Sequence, residues 1–492
     1  MSSTDATAMA AVLPHHRSCF YGGRWHEPLS GAWVESRSPS TGELLARVAD
    51  AGAADVNAAV AAARQALPAW RRLPPRERAA ALRRCAARLR EHADALALLD
   101  AMDGGNPVAE MRRDAVIAAE GIEYFAGVAA EIKGETIPFG DGFLDYTVRE
   151  PLGVVARIVA YNHPLMFSAI KIGAPLAAGN VVIVKPSEQA PLSALRMAEL
   201  LADLLPAGVL GVLPGGRACG EALTTHPDIA KITLIGSVPT GKAIARSAAD
   251  RLKPVLLELG GKNALIVYPD ADIEQAIAGA VQGMNFTWAG QSCGSTSRVF
   301  LHESVHDRML EGIVERVRRS HRPGLPTDPK TTMGALVSRA QYDKVLSYIE
   351  VAKADGARLV LGGRVPDDPA LARGFFVEPT IFADVQPGMR IAREEVFGPI
   401  LSVLRWRDEA ELFAAVNAVD YGLTASIWTR DLVTAHRAAG AVEAGYVWVN
   451  QSSRHFFGAP FGGYKESGLG REECFEELLS FTQVKNVNIK LG

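Results

Sequence analysis

The chain has 492 residues, 52 basic and 55 acidic side chains, a net charge of −3 and a hydrophobic content of 48%. That length exceeds one ordinary core, so two or three domains are expected. Without a basic excess, nucleic acid is not an expected partner. With no run of ~18 uncharged apolar residues, no membrane association is expected either.

Residues 1–17 lack a basic start followed by a long apolar run, and read as a flexible N-terminal tail rather than a signal peptide. A cytoplasmic location is the matching expectation. Residues 55–67 predict an alanine-rich helix, and 75–101 and 108–132 longer ones, separated by Gly104, Gly105 and Pro107. In 134–148, Asp141-Gly142 between β-type runs signals a hairpin. Strands and helices then alternate: strands over 153–162, 180–188, 208–215 and 231–237, two more within 254–269, and helices over 191–205 and 240–250. Short β-branched runs between helices predict a mostly parallel sheet. A second α/β region spans about 262–445, and the final run FTQVKNVNIKL alternates like an exposed strand in need of a partner.

Ligands of parallel sheets gather at the carboxyl ends of the strands. Asn162, Lys185, Glu188, Gly236 and Glu258 all fall there. In ITLIGSVPTGKAI, Gly236 and Gly241 bracket a strand-to-helix turn, either a phosphate site or simply a tight turn. Lys185 and Glu188 suit two ribose hydroxyls, and the carboxylate would repel a 2′-phosphate, favouring NAD over NADP. The same KPSE reads equally as a solvated cap. Glu258 is a carboxylate in an apolar run, where burial raises its pKa towards that of a general base; a salt-bridged structural glutamate is the other reading.

The five cysteines are odd in number, widely spaced and without a CxxC pair, and no HExxH occurs. Neither disulfide nor metal site is expected. One of them, Cys293, stands in WAGQSCGST among small or neutral-polar residues.

LELGGKN, the cysteine of GQSC, EEVFGP at 394–399 and PFGGYKESGLGRE at 460–472 resemble the aldehyde dehydrogenase superfamily, with YNHP, KPSE and GSVPTG in the family's order. The resemblance runs from about residue 20 to the C-terminus. It implies an α/β fold: a Rossmann-like cofactor domain (18–130 and 149–259), an α/β catalytic domain (260–470) and a small β oligomerisation flap (131–148 and 478–492). It implies a homo-oligomer, dimer or tetramer, acting on a small aldehyde with NAD, NADP remaining open.

Cys293 then matches the nucleophile, Asn162 the oxyanion donor and Glu258 the base that activates water. Gly290, Gly294 and Ser292 would keep the approach to sulfur open. Lys171 and Glu472 match a pair behind the base, either a proton relay or a structural ion pair. Ile158, Gly215, Ser237, Leu259, Glu395 and Phe397 join Lys185, Glu188, Gly236 and Gly241 as cofactor contacts. Tyr161, His163, Phe167, Phe286, Trp288, Arg454, His455 and Phe461 join Ser292 as the substrate pocket, with core packing the other reading for Phe167, Phe286, Trp288 and Phe461. Arg454 and His163 suit an aldehyde with a distal carboxylate or other acceptor, a solvated rim being the other reading of Arg454, and the substrate is expected to be aromatic or carboxylate-bearing. This sequence departs from the family at Tyr161, His163, Pro239 and the Arg454-His455 loop. A CoA-acylating enzyme and an inactive dinucleotide-binding protein are the alternatives.

Overall fold

The computed structural model describes residues 11–491. Its centre is two open sheets. The first has eight strands and runs, edge to edge, through Arg24–His26, Cys19–Tyr21, Leu210–Val212, Val181–Lys185, Val154–Ile158, Ile229–Ile235, Val255–Glu258 and Gly468–Leu469. The five strands from Leu210–Val212 to Val255–Glu258 pair in parallel. Chain order runs one way from Val154–Ile158 and the other way from Ile229–Ile235, so a switch point lies between these two strands.

The second sheet has Ala264–Val267 at its switch point, parallel to Arg298–His302 on one side and Thr424–Trp428 on the other. Its apolar runs are continuous because both faces are covered. Ala264 and Ile266 enter one core while Leu265 and Val267 enter another on the opposite face.

Several elements differ from the sequence expectation. The helix expected to end at 67 runs Ala53–Arg72 through Pro68, because its apolar face stays buried to Trp70. The helix expected over 75–101 is two, Pro75–Glu91 and Ala93–Gly104, hinged at His92. The third, Val108–Val128, ends earlier than 132. The hairpin pairs Ile137 with Asp145, so residues 138–144 form its loop and Asp141-Gly142 is not its whole turn. Phe143–Pro151 pairs along its length with Thr482–Lys490, whose outer edge has no partner among the described residues.

Of the expected tail, residues 1–10 lie outside the described residues. Residues 14–17 are not loose: Pro14 is buried, the His16 ring stacks on Trp25 at 4.9 Å, and the His16 N–H donates to Glu199 at 2.6 Å.

Two buried aspartates fix the helices that lead to the site. Asp100 Oδ2 accepts from the Leu165 N–H at 3.0 Å and so caps Pro164–Ala177. Asp103 Oδ2 accepts from Leu192 at 2.9 Å and caps Leu192–Leu201. Negative charge at a helix N-terminus is favourable, yet burial pushes both carboxyls up, to about 8 and about 7. No described helix is long and apolar enough to cross a membrane.

Candidate active site

Cys293 stands on a loop clamped by Asn263 of the GGKN turn. Asn263 Nδ2 donates to the carbonyls of Cys293 at 2.7 Å and Ser295 at 3.0 Å, while its Oδ1 accepts from Thr424 N–H at 3.0 Å. A Cβ at Gly261 would lie 2.8 Å from the Cys293 carbonyl oxygen, so the approach needs glycine. Gly290 is needed for another reason than access to sulfur. Its φ is +70°, and a Cβ there would lie 2.1 Å from the Gly398 carbonyl oxygen. Nothing but Ser292 Oγ, 4.0 Å away, would face a Cβ at Gly294, which leaves that side of the loop open.

The half-buried Cys293 opens into a cavity of about 480 Å³. Glu258, Lys171 and Glu472 share its inner wall, and Glu258 ends the strand Val255–Glu258. Glu258 Oε1 is buried without a hydrogen-bond partner. Burial, then the charge of Glu472, pushes this carboxyl up to about 8. Burial and the Glu258 carboxylate push the Cys293 thiol well up, against the pull of the Gly294 N–H. Thiol and carboxyl are thus neighbours that resist ionising together.

Lys171 Nζ lies 2.6 Å from Glu472 Oε2, both buried. Burial pulls the ammonium down, but Glu472 and Glu477 outweigh it and Lys171 stays charged. Behind them Arg157, fully buried, bonds the Lys171 carbonyl at 2.6 Å, Thr233 at 3.0 Å and Glu477 at 2.8 Å. Sequence reasoning missed Arg157 and Glu477, although a charge inside GVVARIV is the same signal that singled out Glu258.

Asn162 is buried, its carbonyl held by Asn106 Nδ2 at 2.9 Å and its Oδ1 without a partner. It precedes His163, whose side chain does line the cavity, at the start of Pro164–Ala177. Phe167, Trp288, Ser292, Arg454, His455 and Phe461 line the cavity as well. Two expected pocket residues do not. Phe286 is fully buried in the core of the second sheet, because the short 3-10 turn Phe286–Trp288 sends it inward. Tyr161 faces the other way, edge-on to Phe397 at 6.0 Å, and burial raises its hydroxyl. Asp114, Trp448 and Glu473 line the cavity without having been read from the sequence.

The expected cofactor residues collect along the carboxyl ends of the first sheet. Ile158 and Lys185 end their strands, and Gly236 and Ser237 follow Ile229–Ile235 across the switch point. Ser237 is exposed and caps Val238–Ala249, with Pro239 in its first turn. Gly241 packs on Leu259, where a Cβ would come within 2.6 Å of Cδ1; at Gly215 a Cβ would meet Cys219 at 2.9 Å. Both positions therefore have a packing reason to be glycine. Lys185 Nζ lies 3.5 Å from Glu188 Oε2, and the Glu188 side chain is 55% exposed. Glu395 accepts from the Gly261 N–H at 2.8 Å, and a Cβ at Gly260 would lie 2.2 Å from its Oε2. Phe397 sits at φ +56°, its carbonyl held by Gln341 at 2.6 Å. A switch point, an uncovered helix N-terminus and an exposed carboxylate one strand away fit a dinucleotide.

The model of the Aldehyde dehydrogenase family matches residues 25–487. The chain belongs to the aldehyde dehydrogenase family. It is 54% identical over 487 residues to aldehyde dehydrogenase tropH of Talaromyces stipitatus, covering 98% of this chain and 95% of that one. It is 45% identical to a betaine aldehyde dehydrogenase of Brucella anthropi over 477 residues, 96% of this chain and 97% of the relative. The NAD+ complex of aldehyde dehydrogenase from Bacillus cereus superposes with a TM-score of 0.94 at 38% identity, over 100% of this chain and 99% of that one. This aldehyde dehydrogenase is accordingly an oxidoreductase of aldehydes.

Proposed function

We propose that the enzyme oxidises an aldehyde to the free carboxylic acid with NAD through a covalent adduct on Cys293. The observation that carries this is the cavity that holds an accessible thiol together with a buried carboxyl whose Oε1 has no partner, beside the carboxyl ends of the first sheet. Hydride does not leave a planar aldehyde readily, so the carbon must first become tetrahedral. The Cys293 sulfur attacks it and the Glu258 carboxylate takes the thiol proton. Asn162 Nδ2 and the Cys293 backbone N–H hold the oxyanion. NAD, when bound, supplies the hydride acceptor. The oxidised adduct is a thioester, and Glu258, having shed its proton, draws one from the water that hydrolyses it. Lys171 and Glu472 hold the wall behind that carboxyl and offer its proton a way out.

For the cofactor, Ser237 and the helix start behind it suit the pyrophosphate. Lys185 and Glu188 suit the adenine ribose, with Glu188 selecting NAD over NADP, and Glu395 and Phe397 suit the nicotinamide end. The cavity walls of Phe167, Trp288, Trp448 and Phe461 suit an aromatic substrate. A carboxylate-bearing aldehyde is favoured by one observation: Arg454 is exposed at the cavity lip without an acidic partner among the described residues.

The flap favours a homo-oligomer, because the free edge of Thr482–Lys490 carries Val484, 57% exposed, and the loop beside it carries Phe139, 60% exposed. The chemistry is tested by following NADH and product with and without CoA. Free acid formed at the same rate in both supports hydrolysis. NADH release that requires CoA marks an acylating enzyme, and no NADH with any aldehyde marks an inactive protein.

A further inference from the structure

His163 and Asp114 stand in the cavity wall as a bonded pair that the reaction does not use. His163 Nδ1 lies 2.6 Å from Asp114 Oδ2. Opposite an ionised Asp114, which only accepts, a neutral ring carries its hydrogen on Nδ1 and presents a bare lone pair at Nε2. Nε2 has no hydrogen-bond partner among the described residues, and the side chain is 15% exposed where it meets the cavity, while Asp114 is buried behind it. The imidazole meets Phe167 edge-on, with ring centroids 5.1 Å apart, and Trp288 at a tilt, at 5.4 Å, so the Asp114 bond orients it and aromatic rings flank it in the cavity wall.

We propose that His163, oriented by Asp114, selects aromatic aldehydes that carry a ring hydroxyl, its Nε2 accepting the hydroxyl hydrogen; this rests on the cavity being the aldehyde site. A substrate without a donor leaves that nitrogen dry and unpaired, and discrimination of this kind is stronger than that of an apolar pocket. An anionic group is a poorer partner here. Asp114 compensates any charge on the ring, and of the arginines in the cavity Arg113 is paired with Glu110 at 2.8 Å while Arg454, the group suited to a carboxylate, stands at the lip. The other imidazole of the cavity, His455, is also carboxylate-bound, with Nδ1 3.2 Å from Glu473, but its side chain is 38% exposed, so water satisfies it in the absence of substrate.

The test compares kcat/KM of the full-length enzyme with NAD for 3- and 4-hydroxybenzaldehyde, for the matching fluorobenzaldehydes, which are close in size and donate nothing, and for 4-carboxybenzaldehyde, which offers an anion in place of a hydroxyl. Propanal serves as a control for turnover. The expected result is a hydroxyl-over-fluoro ratio for at least one ring position that falls about tenfold in His163→Phe, whatever the absolute rates. Asp114→Asn, which frees the tautomer without removing the ring, lowers the same ratio and guards against a misfolded first variant. Equal ratios in parent and both variants overturn the proposal, as does a His163-dependent preference confined to 4-carboxybenzaldehyde. In both cases turnover of propanal leaves the aldehyde dehydrogenase reading standing. If propanal and every aromatic aldehyde fail to yield NADH, that reading falls, and the proposal with it.

Discussion

Lys171 Nζ and Glu472 Oε2 meet at 2.6 Å, both buried, in the inner wall of the candidate active-site cavity, so each charge depends on the other. Removing one partner of a buried pair leaves an uncompensated charge and costs about 3–5 kcal/mol. Lys171→Met is expected to lose stability on that scale in urea unfolding. The sign of its pH dependence follows from Glu472, whose carboxyl burial already raises. In the variant it rises further, so the stabilising protonated form persists to higher pH. Stability is full at low pH and is lost as pH climbs through the folded-state pKa. The deficit relative to the parent should therefore be larger at pH 9 than at pH 6.

The base proposed for thioester hydrolysis must be ionised to work, and the Glu258 carboxyl is held up to about 8. Under conditions where thioester hydrolysis limits turnover, kcat should rise with pH through that value and level off above it. Glu258→Gln should lower kcat by about 10²-fold or more and abolish the rise.

The Cys293 thiol is raised by burial and by the Glu258 carboxylate. Alkylation of the cofactor-free enzyme by iodoacetamide should be slow at pH 7 and accelerate with pH. Glu258→Gln removes the carboxylate charge, so it should alkylate faster than the parent at pH 9. Peptide mass spectrometry should find the label on Cys293 alone at early times, because Cys19, Cys85, Cys219 and Cys474 are buried and burial raises their thiols too.

Gly260 lies so close to Glu395 that an added Cβ would have to displace its carboxylate. Gly260→Ala should raise the KM for NAD by about tenfold with a smaller change in the KM for aldehyde. Equal KM values in variant and parent would remove Glu395 from the cofactor site.

Much of this site was legible because a parallel sheet delivers residues in a rule-bound way. Lys185 and Glu258 end buried apolar runs and Gly236 follows another, and strand ends are where such a sheet presents its ligands. The pairs that hold the site were not legible. Asp114 is 49 residues from His163 and Glu472 is 301 from Lys171, and no local pattern announces either contact. Phe286 and Trp288 belong to one short turn, yet one enters the core and the other the cavity, a choice made by packing. His92 breaks a helix without any glycine or proline to announce the break.

The covalent adduct itself is the most direct test. Glu258→Gln is mixed with NAD and excess benzaldehyde at pH 9, where the thiol, relieved of the neighbouring carboxylate charge, loses its proton to solvent instead, then quenched in acid and digested. The expected result is a burst of up to one NADH per active site and a benzoyl group on the peptide containing Cys293, with neither appearing in Cys293→Ser. An NADH burst without acylation of Cys293, or a Cys293→Ser enzyme that turns over as fast as the parent, would contradict the mechanism at its root.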